Sequence, residues 1–170
     1  MTDAERAALD GRLEECTRQL VECAAAQGAT VCTAESCTAG LVASTIAGVP
    51  GASAVLVGGA VTYCDRVKHE VLGVSSGTLA AFSAVSAQTA CEMSQGARRL
   101  FSATCSVSLT GYAGPGGGTD ADPAGTVYIS TSADSGTVVR RFTFEGERNE
   151  VRAKAARKAL EMLLEILTSM

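Results

Sequence analysis

Leu9, Leu13, Cys16, Leu20 and Ala24 recur at three- and four-residue intervals near the start of the chain. That spacing predicts one amphipathic helix over about residues 3–27. Thr2-Asp3-Ala4-Glu5 resembles a capping box and Gly28 a helix-ending glycine. Thr30 to Ala34 is a short β-prone run, Leu41 to Ala47 is helical, and Val49-Pro50-Gly51 is a turn. Ala54 to Cys64 reads as a strand containing Gly58-Gly59, a pair that suggests a bulge or a close backbone approach. Asp65 is placed to cap a short helix ending near Leu72, Ser76 another, and Ser86 a longer one to about Leu100. Cys105 to Thr110 reads as a buried strand. Gly125–Ser132 and Val138–Phe144 flank Asp134-Ser135-Gly136 as a hairpin. Glu147 to Leu167 is a closing helix with Val151, Ala155, Ala159, Met162, Leu163 and Ile166 along one face. Helices alternating with strands predict a three-layer α/β fold with a mixed β-sheet flanked by helices, as one domain over residues 1–170.

Composition narrows the function. Hydrophobic residues make up 46% of the chain, enough for a substantial core. Lys+Arg total 14 against 18 Asp+Glu, a net charge of −4, which argues against nucleic-acid and anionic-membrane partners. No apolar run approaches the roughly 18 residues a membrane helix needs. The polar start MTDAERAALDGRLEEC argues against a secretory signal, so a cytoplasmic location is expected. Seven cysteines, an odd number without any CxxC, argue against a disulfide framework. The one histidine, His69, is too few for a zinc site of ordinary His/Cys spacing, so no metal is expected.

Four segments carry candidate chemistry. Glu35-Ser36-Cys37-Thr38 lies where a strand gives way to a helix, a corner whose free N–H groups favour a phosphate or an oxyanion. A Ser or Thr at such a corner is also the ordinary helix cap, so the local residues support both readings. Tyr63 and Lys68 follow the next strand. A serine nucleophile needs a base, and a buried lysine serves if desolvation lowers its pKa; a solvated lysine does not. His69 is one position on, about 100° around the helix from Lys68. Six glycines between 111 and 125 form a loop that lets backbone approach a ligand, or simply turns on the surface; it matches no dinucleotide or P-loop signature. Arg140, Arg141, Arg148 and Arg152 are basic, and Arg148 is placed to meet a phosphate at a helix start. Cys37 is a rival nucleophile that would need His69 as its partner.

The segments TAESCTAGLVASTIAGVPGAS, GGAVTYCDRVKHEVLGV, SLTGYAGPGGGTDADPAGTVYI and FEGERNEVRAKA, in that order, resemble the CinA C-terminal-domain family, the nicotinamide-nucleotide amidohydrolases or NMN deamidases. The similarity runs from about Thr30 to Leu167, and the four ordered motifs together are far more specific than any alone. The resemblance implies hydrolysis of the nicotinamide mononucleotide carboxamide to nicotinate mononucleotide and ammonia, without metal or organic cofactor. It implies a stand-alone deamidase, lacking the N-terminal pyrophosphatase-type domain of larger members. Position by position, Ser36 is similar to the nucleophile, Lys68 to its base, Tyr63 to an orienting tyrosine and Thr110 to a threonine near the carboxamide. Glu35, Cys37, Thr38, the loop glycines Gly111, Gly114, Gly116 and Gly117, and Arg148 fall among the residues expected to bind the nucleotide.

Three positions depart from the family pattern. Ala39 stands for a usual glycine, Cys64-Asp65 for Ser-Asn, and Tyr112 for a small aliphatic residue. Asp65 near Lys68 would raise the lysine pKa, against its use as a base. A non-catalytic nucleotide-binding module and an amidase acting on another small carboxamide therefore stand beside the deamidase expectation. The apolar first helix and the hairpin suggest a homodimer.

Overall fold

The structure is a computed structural model that describes residues 3–170, with side-chain surroundings for residue 9 and from residue 11 on. In chain order the elements are α1 (Asp3–Gln27), β1 (Val31–Glu35), α2 (Leu41–Ala47), a 3₁₀ turn (Ala52–Ala54), β2 (Leu56–Val61), α3 (Asp65–Leu72), α4 (Ser76–Phe82), α5 (Ala87–Phe101), β3 (Cys105–Gly111), β4 (Thr126–Ala133), β5 (Gly136–Thr143) and α6 (Arg148–Thr168). The expected three-layer α/β architecture is the observed one. The capping box at Thr2 lies outside the described residues. Gly28, with φ 62°, ends α1 in the left-handed conformation expected of it.

The sheet runs β2-β1-β3-β4-β5. β1 is parallel to both β2 and β3, while β4 and β5 are antiparallel additions. One face carries α1, α2 and α6, whose buried Leu20, Ile46, Leu160 and Leu163 pack on Val31, Val107, Leu109 and Ile129. Each such side chain stabilises the fold by about 1.5–3 kcal/mol. The other face carries α3, α4 and α5 over a smaller cluster of Cys32, Ala34, Leu72, Val74, Met93 and Ala97. The thiols of Cys32 and Cys105 are pushed up by burial to about 12, as expected of cysteines acting as small apolar residues.

Two expected boundaries shift for local reasons. β2 begins at Leu56, because Ala52–Ala54 tightens into a 3₁₀ turn after Gly51. Its pairing with β1 skips Val57, and both glycines meet close neighbours. A Cβ on Gly58 would lie 2.7 Å from the Phe101 ring, and one on Gly59 would lie 2.4 Å from Thr33 Oγ1. Ser75, not Ser76, caps α4 by accepting from the Gly77 N–H, and α3 follows Cys64 without a side-chain cap.

β3 reads Cys-Ser-Val-Ser-Leu-Thr, an alternation that would suit a sheet with one wet face, yet all six residues are buried. Its hydroxyls turn toward α5 and the loop before it. Ser106 donates to the Ser94 carbonyl at 2.7 Å, Ser108 to Ala90 at 2.6 Å and Thr110 to Ala84 at 2.6 Å. Hydroxyls buried this way cost little because each finds an acceptor.

Gly96 lets α5 meet the end of α3. A Cβ there would lie 1.9 Å from the Leu72 carbonyl oxygen. The obstacle is backbone, so the helices must separate. Gly96→Ala is expected to destabilise the fold by about 1–3 kcal/mol, the usual cost of overpacking. A thermal melt checks this, with a fall of about 2–4 °C per kcal/mol for a chain of this size. An unchanged melting temperature would contradict the close approach.

Candidate active site

β1, β2 and β3 run in the same direction, so Ser36, the Thr62-Tyr63 pair and the loop from Tyr112 all emerge at one edge of the sheet. Crevices outside the carboxyl ends of parallel strands are where α/β folds bind ligands. The start of α6 reaches the same edge, where Arg148 donates to the Tyr63 hydroxyl at 2.8 Å and to the Gly114 carbonyl at 3.1 Å.

The centre of the edge is a Ser–Lys pair. Lys68 Nζ lies 3.0 Å from Ser36 Oγ and donates to the Thr62 carbonyl at 2.8 Å. Lys68 is only 1% exposed, and it leaves α3 beside Leu72 on the side that meets α5. Its pKa is lowered chiefly by that burial; Asp65 and Cys64 push it back up, by less. The concern raised by Asp65 is thus answered by position: its carboxylate is exposed, and solvent weakens its pull on the amine. His69 is directed elsewhere, donating from Nδ1 to the Val74 carbonyl at 2.7 Å.

Glu35 does not line the crevice. It is fully buried, and its carboxylate accepts from the N–H groups of Gly40 at 2.9 Å, Val42 at 3.1 Å and Ala43 at 2.9 Å. It therefore caps α2 from five residues upstream, satisfying three donors that the corner would otherwise offer an anion. That corrects its expected place among nucleotide-binding residues, and it answers the cap-or-site question: the cap is Glu35, which leaves Ser36 free to face Lys68. The N–H groups of Cys37 and Thr38 donate to no other residue among the described ones. They are the backbone donors that the turn after Ser36 leaves available to an anion. The buried hydroxyls of Thr38 and Thr62 also have no partner among the described residues. Cys37 is a poor rival nucleophile, because burial pushes its thiol up to about 11.

The other expected residues divide. Tyr63 is 58% exposed at the mouth and held by Arg148. Thr110 is fully buried and its hydroxyl is committed to Ala84, so it braces the strand instead of presenting its oxygen. Gly111 is required by packing: a Cβ there would sit 2.4 Å from the Thr126 carbonyl oxygen. Gly116 and Gly117 are exposed, and Gly117 packs beside the Tyr112 ring. Arg141 is tied to Asp122 and Arg140 to Glu165, away from the crevice. A recess of about 690 Å³ opens between α1 and α2, lined by Leu13, Thr17, Thr45, Val49 and Pro50. Its threonine hydroxyls are donated to their own helices, and it holds no nucleophile paired with a base. Among the described residues, no three His, Cys, Asp or Glu side chains cluster to hold a metal, and no helix is long and apolar enough to cross a membrane.

Residue patterns alone did not point to the Thr62 carbonyl or Gly96 as supports of this site, and they marked Arg152 only as one of four basic candidates. A lone glycine inside a helical pattern was the available signal for Gly96. No sequence signal marks a backbone carbonyl.

A mixed sheet between helical layers is the architecture this chain shares with solved structures of one family. The CinA C-terminal domain model matches residues 13–167, and the chain belongs to that family. A CinA-like protein of Myxococcus xanthus is 48% identical over 137 residues, covering 80% of this chain and 32% of its own length. One from Thermotoga neapolitana is 43% identical over 134 residues, 79% and 33% respectively. The chain thus spans about a third of the length of these relatives. Among solved structures, the competence/damage inducible protein CihA of Agrobacterium tumefaciens superposes with a TM-score of 0.88 at 40% identity, covering 91% of this chain and 94% of that one. A CinA superfamily protein of Klebsiella pneumoniae gives 0.89 at 37%, covering 93% and 99%.

The lowered lysine pKa has a sign that stability measurements test. The folded state disfavours the charged amine, so the unfolded chain binds more protons and stability rises with pH between the lowered folded value and about 10.4, the unfolded value. Below that window the burial penalty is present in full. Lys68→Met is therefore expected to be more stable than the parent near neutral pH. Urea titrations across the range should show the gap closing as pH approaches about 10.4. A gap independent of pH would mean the amine is not desolvated.

Proposed function

We propose that the chain is a Ser–Lys amidase that hydrolyses the carboxamide of nicotinamide mononucleotide. The carrying observation is the 3.0 Å contact between a buried lysine amine and Ser36 Oγ, with burial holding that amine toward its neutral form. The substrate rests on the family motifs together with the tyrosine–arginine clasp at the crevice mouth.

With Lys68 neutral, Ser36 donates its proton to Nζ as Oγ attacks the amide carbon. The oxyanion is held by the Cys37 and Thr38 N–H groups, each donor of this kind being worth roughly 3–4 kcal/mol of barrier. Lys68 returns the proton to the nitrogen, the C–N bond breaks and ammonia departs. Water then attacks the acyl-serine with Lys68 again as base, releasing the carboxylic acid. The Lys68–Thr62 hydrogen bond keeps the amine aimed at Ser36 through both halves. Arg148, already at the mouth, is the group offered to the substrate phosphate, by exchanging its hold on Tyr63.

Ammonia release from nicotinamide mononucleotide by the purified protein tests the reading. Ser36→Ala and Lys68→Ala are expected to reduce it to background while the fold survives, and Cys37→Ala to leave it largely intact. Full activity in Ser36→Ala would overturn the serine mechanism. Mononucleotide binding without ammonia would favour a binding module. The Asp65 charge raises the Lys68 pKa, so Asp65→Asn should populate the base at lower pH. Its acid limb in kcat/KM is expected to move slightly to lower pH, and a limb moved to higher pH would remove Lys68 as the titrating base.

A further inference from the structure

We propose that Arg152 is a positioning residue that holds the turn after Ser36 on which the oxyanion donors sit. The proposal rests on the Ser–Lys reading and concerns a residue outside the reacting pair. Arg152 lies one helical turn beyond Arg148 on α6, so the two side chains leave the same face. Arg148 goes to the crevice mouth, whereas Arg152 goes beneath it. Its Nη2 donates to the Thr38 carbonyl at 2.8 Å, and its Nη1 donates to Asn149 Oδ1 at 3.0 Å.

The Thr38 carbonyl belongs to the peptide that enters Ala39. Ala39 has φ 53°, the left-handed conformation, which costs an alanine roughly 1–2 kcal/mol. The strained residue directly follows the Cys37 and Thr38 N–H groups, which donate to no other residue among the described ones. A turn that tends to relax there would swing those donors away from the reacting oxygen. Glu35 secures the far side of the turn, at Gly40, Val42 and Ala43. Arg152 is the side chain that secures the carbonyl between them.

Acylation of Ser36 by p-nitrophenyl acetate reads this role without the nucleotide. The Oγ–acetyl bond forms, the aryl ester bond breaks, p-nitrophenolate leaves, and the serine proton passes to Lys68. Arg152→Met is expected to slow the p-nitrophenolate burst roughly 10- to 100-fold, as small misplacements of reacting groups do. The effect should fall on the maximal rate, with half-saturation unchanged, at temperatures well below melting. Arg152→Lys, which keeps a cationic donor, should recover most of the loss, and Arg152→Gln, which keeps a donor alone, less. A parental burst in Arg152→Met would overturn the inference and leave the serine reading standing. So would a change confined to half-saturation, which would mark Arg152 as a ligand contact. Absence of Ser36 acylation in the parent protein would overturn both.

Discussion

A lysine amine taken out of water and held 3.0 Å from a serine hydroxyl is the constraint on which the other features of this protein bear. Burying an amine is unfavourable unless its charged form is abandoned or its donors are satisfied. Here the Thr62 carbonyl satisfies one donor and the serine oxygen is the other partner. The helix that carries the lysine packs on α5, which approaches the end of α3 at Leu72 because residue 96 is glycine. Sheet, helix packing and amine basicity are therefore linked: loosening α3 would readmit water and return the lysine toward its ordinary pKa.

The strand–helix corner solves a second problem. A helix start offers unpaired N–H groups to any anion nearby, and a carboxylate is a strong competitor for them. Glu35 occupies the donors of Gly40, Val42 and Ala43 and leaves those of Cys37 and Thr38. The division separates a structural anion from the place where a transient one would form. It also explains why a fully buried carboxylate is tolerated one residue before Ser36. Departures from the family pattern fall around this corner without dismantling it. Ala39 adopts the conformation a glycine would take more easily, and Asp65 remains in solvent, where its opposition to a neutral lysine is weak.

The fold was largely legible along the chain because hydrophobic spacing reports directly on which face of an element is buried. The helix over about residues 3–27, the hairpin around Asp134-Ser135 and the closing helix all appear as the periodicities require. The short elements were read less sharply. Ala52–Ala54 and the Ser75 cap depend on one or two hydrogen bonds that spacing does not encode. The candidate site divides in the same way. Ser36 and Lys68 were marked by the motifs around them, and they meet. Glu35 and Thr110 lie within those same motifs, yet their oxygens serve the turn and the α5 layer.

By itself, the order of residues determined the layered α/β arrangement, the family, and the hydroxyl and amine most worth pairing. Only the tertiary structure decided that the amine is dry, that Glu35 caps α2, and that Arg152 grips the turn from 114 positions away. The physical reason is that burial and hydrogen-bond partnership are properties of neighbours in space. A lysine's basicity depends on how much water its fold excludes, and nothing in its flanking residues records that.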